Sequence, residues 1–183
     1  MQFNQVLNTL LKEFEQRKIR YAVTGGFAVG ALGVPRATMD LDFVVHRDDL
    51  KSLDEVMFRL GYRRGGHTEN VSMYLHPDPA WGRIDCLHAF RKYTLAMLER
   101  AVLRPIFEGT QTIRVLAVED VIGLKVQGIA NNPIRRGRDQ VDIEALMSLH
   151  SPSLDWTRIQ EYYELFDLGE EARQLRARFG HAQ

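Results

Sequence analysis

Seven consecutive residues, Met39-Asp40-Leu41-Asp42-Phe43-Val44-Val45, constrain this chain more than any other segment. Their aromatic and β-branched content predicts a strand. Side chains alternate across a strand, so Met39, Leu41, Phe43 and Val45 share one face, and Asp40, Asp42 and Val44 the other. The apolar face belongs in a core. The second face then carries two carboxylates about 7 Å apart, from a rise of about 3.3 Å per residue. Aspartate is a poor strand former and neighbouring like charges repel, so a pair kept there calls for a compensating charge. A divalent cation supplies it, because magnesium takes one or two carboxylates together with phosphate oxygens and water. The alternative is that both aspartates are solvated residues on an edge strand.

A third carboxylate, Asp85, sits between apolar neighbours in Gly82-Arg83-Ile84-Asp85-Cys86-Leu87-His88, a second predicted strand. If the two strands are neighbours, Asp85 completes a cluster able to hold two metal ions; alternatively it pairs with an arginine. Upstream, the short strand Tyr21-Ala22-Val23-Thr24 stops at Gly25-Gly26, and Phe27 to Leu32 reads as a helix ended by Gly33-Val34-Pro35. Glycines let the backbone turn tightly and come close to a ligand, and a helix start offers amide donors to a phosphate. The turn is not a Walker loop, since no Gly-Lys-Ser/Thr follows, nor the dinucleotide pattern of three spaced glycines.

The remaining pattern is mixed at first and helical later. Phe3, Val6, Leu7, Leu10, Leu11 and Phe14 have the period of an amphipathic helix. Asp48 to Leu60 and Tyr93 to Arg100 read as helices, and Val71–Leu75 and Thr112–Leu116 as strands. From Val118 onward come helices only: Val118–Ala130, Arg138–Leu149, Trp156–Phe166 and Glu170–Phe179, the first two separated at Asn131-Asn132-Pro133. The fold class is therefore α+β, a mixed sheet flanked by helices over residues 1 to 116, followed by a helical region from 117 to 183. A chain of 183 residues suits one domain with such an annex. Twenty-four basic residues balance 24 acidic ones, so no overall field favours nucleic acid or an anionic membrane. A single cysteine, Cys86, excludes an intramolecular disulfide and is expected in the core. No stretch approaches the roughly 18 apolar residues of a membrane helix, and no signal peptide precedes Leu11, which predicts a cytoplasmic protein with no membrane partner.

Tyr21-Ala22-Val23-Thr24-Gly25-Gly26-Phe27-Ala28, with Asp40-Leu41-Asp42 following after 13 residues counted from Gly26, resembles the minimal nucleotidyltransferases of the DNA polymerase β superfamily. Their signature is a Gly-Gly or Gly-Ser turn, a short helix, then Asp-x-Asp. The resemblance covers residues 20 to 45 and, more loosely, 83 to 150. It implies a nucleotidyltransferase-like fold and a nucleoside triphosphate substrate, with magnesium, in two sites, held by Asp40, Asp42 and Asp85. Gly25, Gly26, Arg36 and Thr38 would then line the triphosphate. Gly26 departs from relatives that carry serine there, so backbone amides alone would serve that position.

The resemblance is closest to the AbiEii-type branch, which includes toxins of bacterial toxin–antitoxin pairs and implies a possible antitoxin partner. Members carry a Glu-Asp-x-x-x-x-Lys helix followed by an Arg-x-x-Asp-x-x-Asp segment. Glu119-Asp120, Lys125, Arg136, Arg138, Asp139 and Asp142 match it here. By that likeness Lys125 contacts triphosphate, and Asp139 or Asp142 orients an acceptor or acts on its proton. The residues themselves leave a plainer alternative. Lys125 falls within the apolar stripe of Val118, Val121, Ile122 and Ile129, and Asp139 and Asp142 lie on the side of Ile143, Leu146 and Leu149. An ion pair joining two neighbouring helices satisfies that pattern equally.

Arg135, Arg136 and Arg138 form a basic cluster that could meet RNA or simply pair with nearby acids. His46, His67, His76, His88 and His150 show no metal spacing, although His88 shares a strand with Asp85. The expected reaction is transfer of a nucleotidyl group from a triphosphate to an acceptor hydroxyl on a small molecule, a tRNA or a protein. Two other readings are a non-enzymatic nucleotide-binding or interaction protein, such as a toxin–antitoxin component, and a metal-dependent phosphoester hydrolase. The hydrolase would not need the glycine turn.

Overall fold

A computed structural model describes residues 1–180. Two compact units account for the chain, Met1–Ala31 with Arg36–Leu116, and Leu32–Pro35 with the chain from Ala117 onward. The first is α+β. Its helices are α1 (Phe3–Gln16), α2 (Gly25–Ala31), α3 (Leu50–Arg59) and α4 (Lys92–Arg100). Its strands are β1 (Tyr21–Thr24), β2 (Asp40–His46), β3 (Arg63–His67), β4 (Val71–Leu75), β5 (Arg83–Ala89), β6 (Val102–Ile106) and β7 (Gln111–Val115). They form one sheet in the order β3-β4-β5-β2-β1-β7-β6. β2 runs parallel to β5 and β1 to β7, and the other pairs are antiparallel, so the sheet is mixed as expected.

The amphipathic period of α1 buries Val6, Leu7, Leu10 and Phe14. Phe14 meets Phe43 of β2 edge-on at 5.6 Å and Tyr21 of β1 at 5.1 Å, a geometry aromatic rings favour. Leu53, Val56 and Met57 of α3 are buried as well. β2 is a central strand, and Leu41, Phe43, Val44 and Val45 are all fully buried. Central position explains why Val44, on the carboxylate face, is as enclosed as its neighbours. Cys86 lies in the same core.

Several expectations need correction. The strand starts at Asp40, which leaves Met39 outside the ladder and 85% exposed, not on the apolar face. Gly25 and Gly26 do not form a separate turn; they are the first residues of α2, a helix of 7 residues that ends at Ala31. A 3-10 turn over Arg47–Asp49 takes the start assigned to the helix at Asp48. β3 and β6 were not expected at all. They are the two edges of the sheet, and their exposure removes the apolar alternation by which strands are read. Pro105 in β6 is compatible with an edge, where a missing amide donor leaves no ladder bond broken.

The second unit contains α5 (Val118–Asn131), α6 (Arg136–His150), α7 (Trp156–Glu164) and α8 (Gly169–Phe179). Asn132 ends α5, and its side chain accepts from the Ile134 amide at 3.2 Å to start a 3-10 turn through Pro133. α5 packs against α6 and α7, and α7 against α8. Ile143, Leu146 and Met147 of α6 are buried, whereas Leu149 is 52% exposed and falls off the apolar side assigned to it. Among the described residues no helix is long and apolar enough to cross a membrane.

Candidate active site

Parallel pairing of β2 with β5 sets Asp42 directly opposite Asp85 and Asp40 opposite Arg83. Side chains on matched positions of neighbouring strands emerge on the same face. Asp40, Asp42 and Asp85 therefore converge, each offering one carboxylate oxygen, and these oxygens lie within 4.8 Å of one another. All three residues are half-buried. Three carboxylate oxygens grouped in this way could hold a hard divalent cation, which takes oxygen donors.

The two glycines that open α2 abut this cluster. Gly25 adopts φ +66, and a Cβ there would lie 1.9 Å from Asp42 Oδ2. A side chain at 25 and the present Asp42 carboxylate therefore cannot coexist. Gly26 is similarly close to Thr38, whose Oγ1 would stand 2.9 Å from an added Cβ. That hydroxyl donates to Asp40 Oδ1 at 2.8 Å and so fixes the orientation of the first carboxylate. Thr38 thus fills the space a larger residue at 26 would need. Arg36 donates to the Ala37 carbonyl at 2.6 Å.

Arg83 was not singled out from sequence, although an arginine partner for Asp85 was one of the open alternatives. Its Nε donates to Asp85 Oδ1 at 2.9 Å and its Nη2 to Oδ2. The signal was the i, i+2 spacing on one strand, which puts both side chains on the same face. These hydrogen bonds hold the Arg83 guanidinium above its ordinary pKa, against partial desolvation, and the charges of Asp85, Asp40 and Asp42 add to the effect. His88 lies three positions beyond Asp85 and so on the opposite face of β5. Its Nε2 contacts Ser72 Oγ at 2.9 Å and its Nδ1 the Glu69 carbonyl at 2.8 Å. Burial pushes its pKa down.

The other predicted residues meet in the helical unit. Lys125, 8% exposed, donates to Asp139 Oδ1 at 3.2 Å and Asp142 Oδ2 at 2.7 Å, and both aspartates are buried. Arg135 Nε donates to Asp139 Oδ2 at 3.0 Å. Arg136 pairs with Glu171 at 3.0 Å, and Arg138 lies 3.8 Å from Asp139. Glu119 accepts from the Asp155 amide at 3.0 Å, at the start of α7, and Asp120 accepts from the Tyr162 hydroxyl at 2.6 Å. Every charged member of the Glu-Asp-x-x-x-x-Lys segment thus makes a tie from α5 to another helix.

The fold and this carboxylate cluster define a nucleotidyltransferase-like protein. The profile of the family described as uncharacterised nucleotidyltransferase matches residues 1–177, and the chain belongs to that family. No curated protein matches the sequence significantly. Among solved structures, the antibiotic-resistance factor ANT(2'')-Ia is similar with a TM-score of 0.64 at 16% identity, over 97% of this chain and 99% of that one. The lincosamide antibiotic adenylyltransferase LnuA, solved with lincomycin bound, has a TM-score of 0.58 at 16% identity, covering 79% of this chain and 96% of its own. An antigenic nucleotidyltransferase-like protein from Paracoccidioides brasiliensis has 0.57 at 18%, covering 98% and 97%. At these identities the likeness is one of fold.

Proposed function

We propose that this protein is a magnesium-dependent nucleotidyltransferase that moves a nucleoside monophosphate from a triphosphate to an acceptor hydroxyl, releasing pyrophosphate. The observation that carries the reading is the convergence of Asp40, Asp42 and Asp85 within 4.8 Å, beside the start of α2, where Asp42 leaves no room for a side chain at Gly25. Magnesium held by these carboxylates would lower the pKa of an acceptor hydroxyl and offset charge on the leaving pyrophosphate. The residues do the rest. Thr38 keeps Asp40 turned for ligation, and Asp85, on the neighbouring strand, completes the cluster and receives the acceptor proton. Gly25 and Gly26 let the main chain approach the phosphates, and Arg36 supplies positive charge near them.

Lys125, Asp139 and Asp142 enter the same reading as contacts to triphosphate and acceptor, or as a pin between α5 and α6. Their mutual hydrogen bonds and burial support the pin. The AbiEii-type likeness and its antitoxin partner belong to this proposal only as what that resemblance implies. Small hydroxyl-bearing compounds are the first acceptors to try, given the two antibiotic-linked structures of similar fold, with tRNA and protein side chains next.

Calorimetry with each triphosphate and magnesium tests the site. Asp40→Ala and Asp42→Ala should abolish metal-dependent triphosphate binding while circular dichroism stays that of the wild type. Normal binding by both variants would sink the assignment. Labelled triphosphate incubated with a cell extract then identifies the acceptor from the labelled product.

A further inference from the structure

Arg83 engages Asp85 with a guanidinium fork, Nε to Oδ1 and Nη2 to Oδ2, so both oxygens of that carboxylate accept from one cation. A bidentate arginine–carboxylate pair is a strong, geometrically specific interaction. The register sets Arg83 opposite Asp40, and its own carboxylate partner opposite Asp42, and the guanidinium feels the charges of all three acids. Its side chain is 49% exposed, against 19% for Asp85, so about half of it faces solvent.

Resting on the reading above, in which Asp85 ligates a divalent cation, we infer that Arg83 is a positioning residue that competes with the cation for Asp85. It yields the carboxylate when a triphosphate gives the guanidinium other anionic oxygens. Two cations cannot both draw on the same lone pairs at full strength, so metal at Asp85 weakens the arginine pair, and the pair weakens the metal. Phosphate oxygens match the guanidinium fork as well as a carboxylate does. A bound triphosphate therefore removes the competitor, and metal and nucleotide bind with positive coupling, each tightening the other. Metal loading at the third carboxylate follows the nucleotide.

A purely structural role, tying residue 83 to residue 85 along one strand, would leave metal affinity and this coupling unchanged. Free Mn2+ counted by electron paramagnetic resonance, with and without a non-hydrolysable ATP analogue, separates the two. Arg83→Gln should bind Mn2+ on the order of tenfold more tightly than the wild type without nucleotide, the loss of one charged hydrogen-bonded competitor. The tightening that the analogue produces in the wild type should shrink in Arg83→Gln. Arg83→Lys, which keeps the charge and loses the fork, should fall between them. Unchanged or weaker Mn2+ binding by Arg83→Gln, with binding still lost in Asp85→Asn, would overturn the role of Arg83 and leave the carboxylate site standing. Mn2+ binding by Asp85→Asn equal to that of the wild type would take down the carboxylate reading as well.

Discussion

At Gly25 the absence of a side chain is what lets Asp42 stand where it does. Its φ of +66 is left-handed, and an added Cβ would sit 1.9 Å from a carboxylate oxygen. Alanine there meets two penalties. The left-handed backbone costs about 1–2 kcal/mol for a residue with a Cβ, and Asp42 must rotate out of the cluster. Gly25→Ala should therefore melt several degrees lower and lose metal-dependent triphosphate binding together. Gly26→Ala should cost less stability, since its backbone is not left-handed, although Thr38, with Oγ1 at 2.9 Å and Cβ at 3.0 Å from an added Cβ, must shift by a few tenths of an ångström and loosen its hold on Asp40. Thermal melts and calorimetry on the two variants check the contrast, and equal losses would contradict it.

α5 shows how one helix organises a unit through polar ties as well as through its buried Val121, Ile122, Val126 and Ile129. Glu119 serves the start of α7, Asp120 the Tyr162 hydroxyl, and Lys125 the two aspartates of α6. Gly123 completes the docking, because a Cβ there would lie 2.5 Å from the Tyr162 ring. Removing the cation of a buried pair leaves carboxylates behind, at a cost of about 3–5 kcal/mol. Lys125→Met should lower stability by that order in denaturant unfolding. If Lys125 is only a pin, the folded fraction of the variant binds triphosphate normally; a selective loss of binding would give it a direct role. At the sheet's borders, β3 and β6 went unread because every residue in them but Ile106 is exposed. Arg-Arg-Gly-Gly-His and the proline-containing Val-Leu-Arg-Pro-Ile carry no buried face for a period of two to mark.

For the molecule as a whole, His88 ties global stability to pH. Burial holds it neutral in the fold and lowers its pKa below 6.5, so the unfolded chain takes up the proton more readily. The stability this contributes is complete above the unfolded value and is lost as pH falls toward and through the folded one. Melting temperature should therefore drop on acidification from about pH 7 to about pH 5, and His88→Gln should flatten that dependence. An identical slope in the variant would show that other groups carry it.

The amino-acid order alone was enough to establish the alternation of β2 from Asp40 onward, the glycines that open α2, the helical character of the region after Val118 and the three acids worth watching. These are local properties, carried by the period of apolar residues and by backbone freedom at single positions. Which strands are neighbours is not local. Only the β2–β5 pairing brings Asp85 across from Asp42, and only that pairing sets Arg83 over Asp40, because register depends on contacts between segments about 40 residues apart that no short-range pattern encodes. The same holds for Lys125: only the packing of α5 on α6 puts Asp139 and Asp142 against its ammonium group.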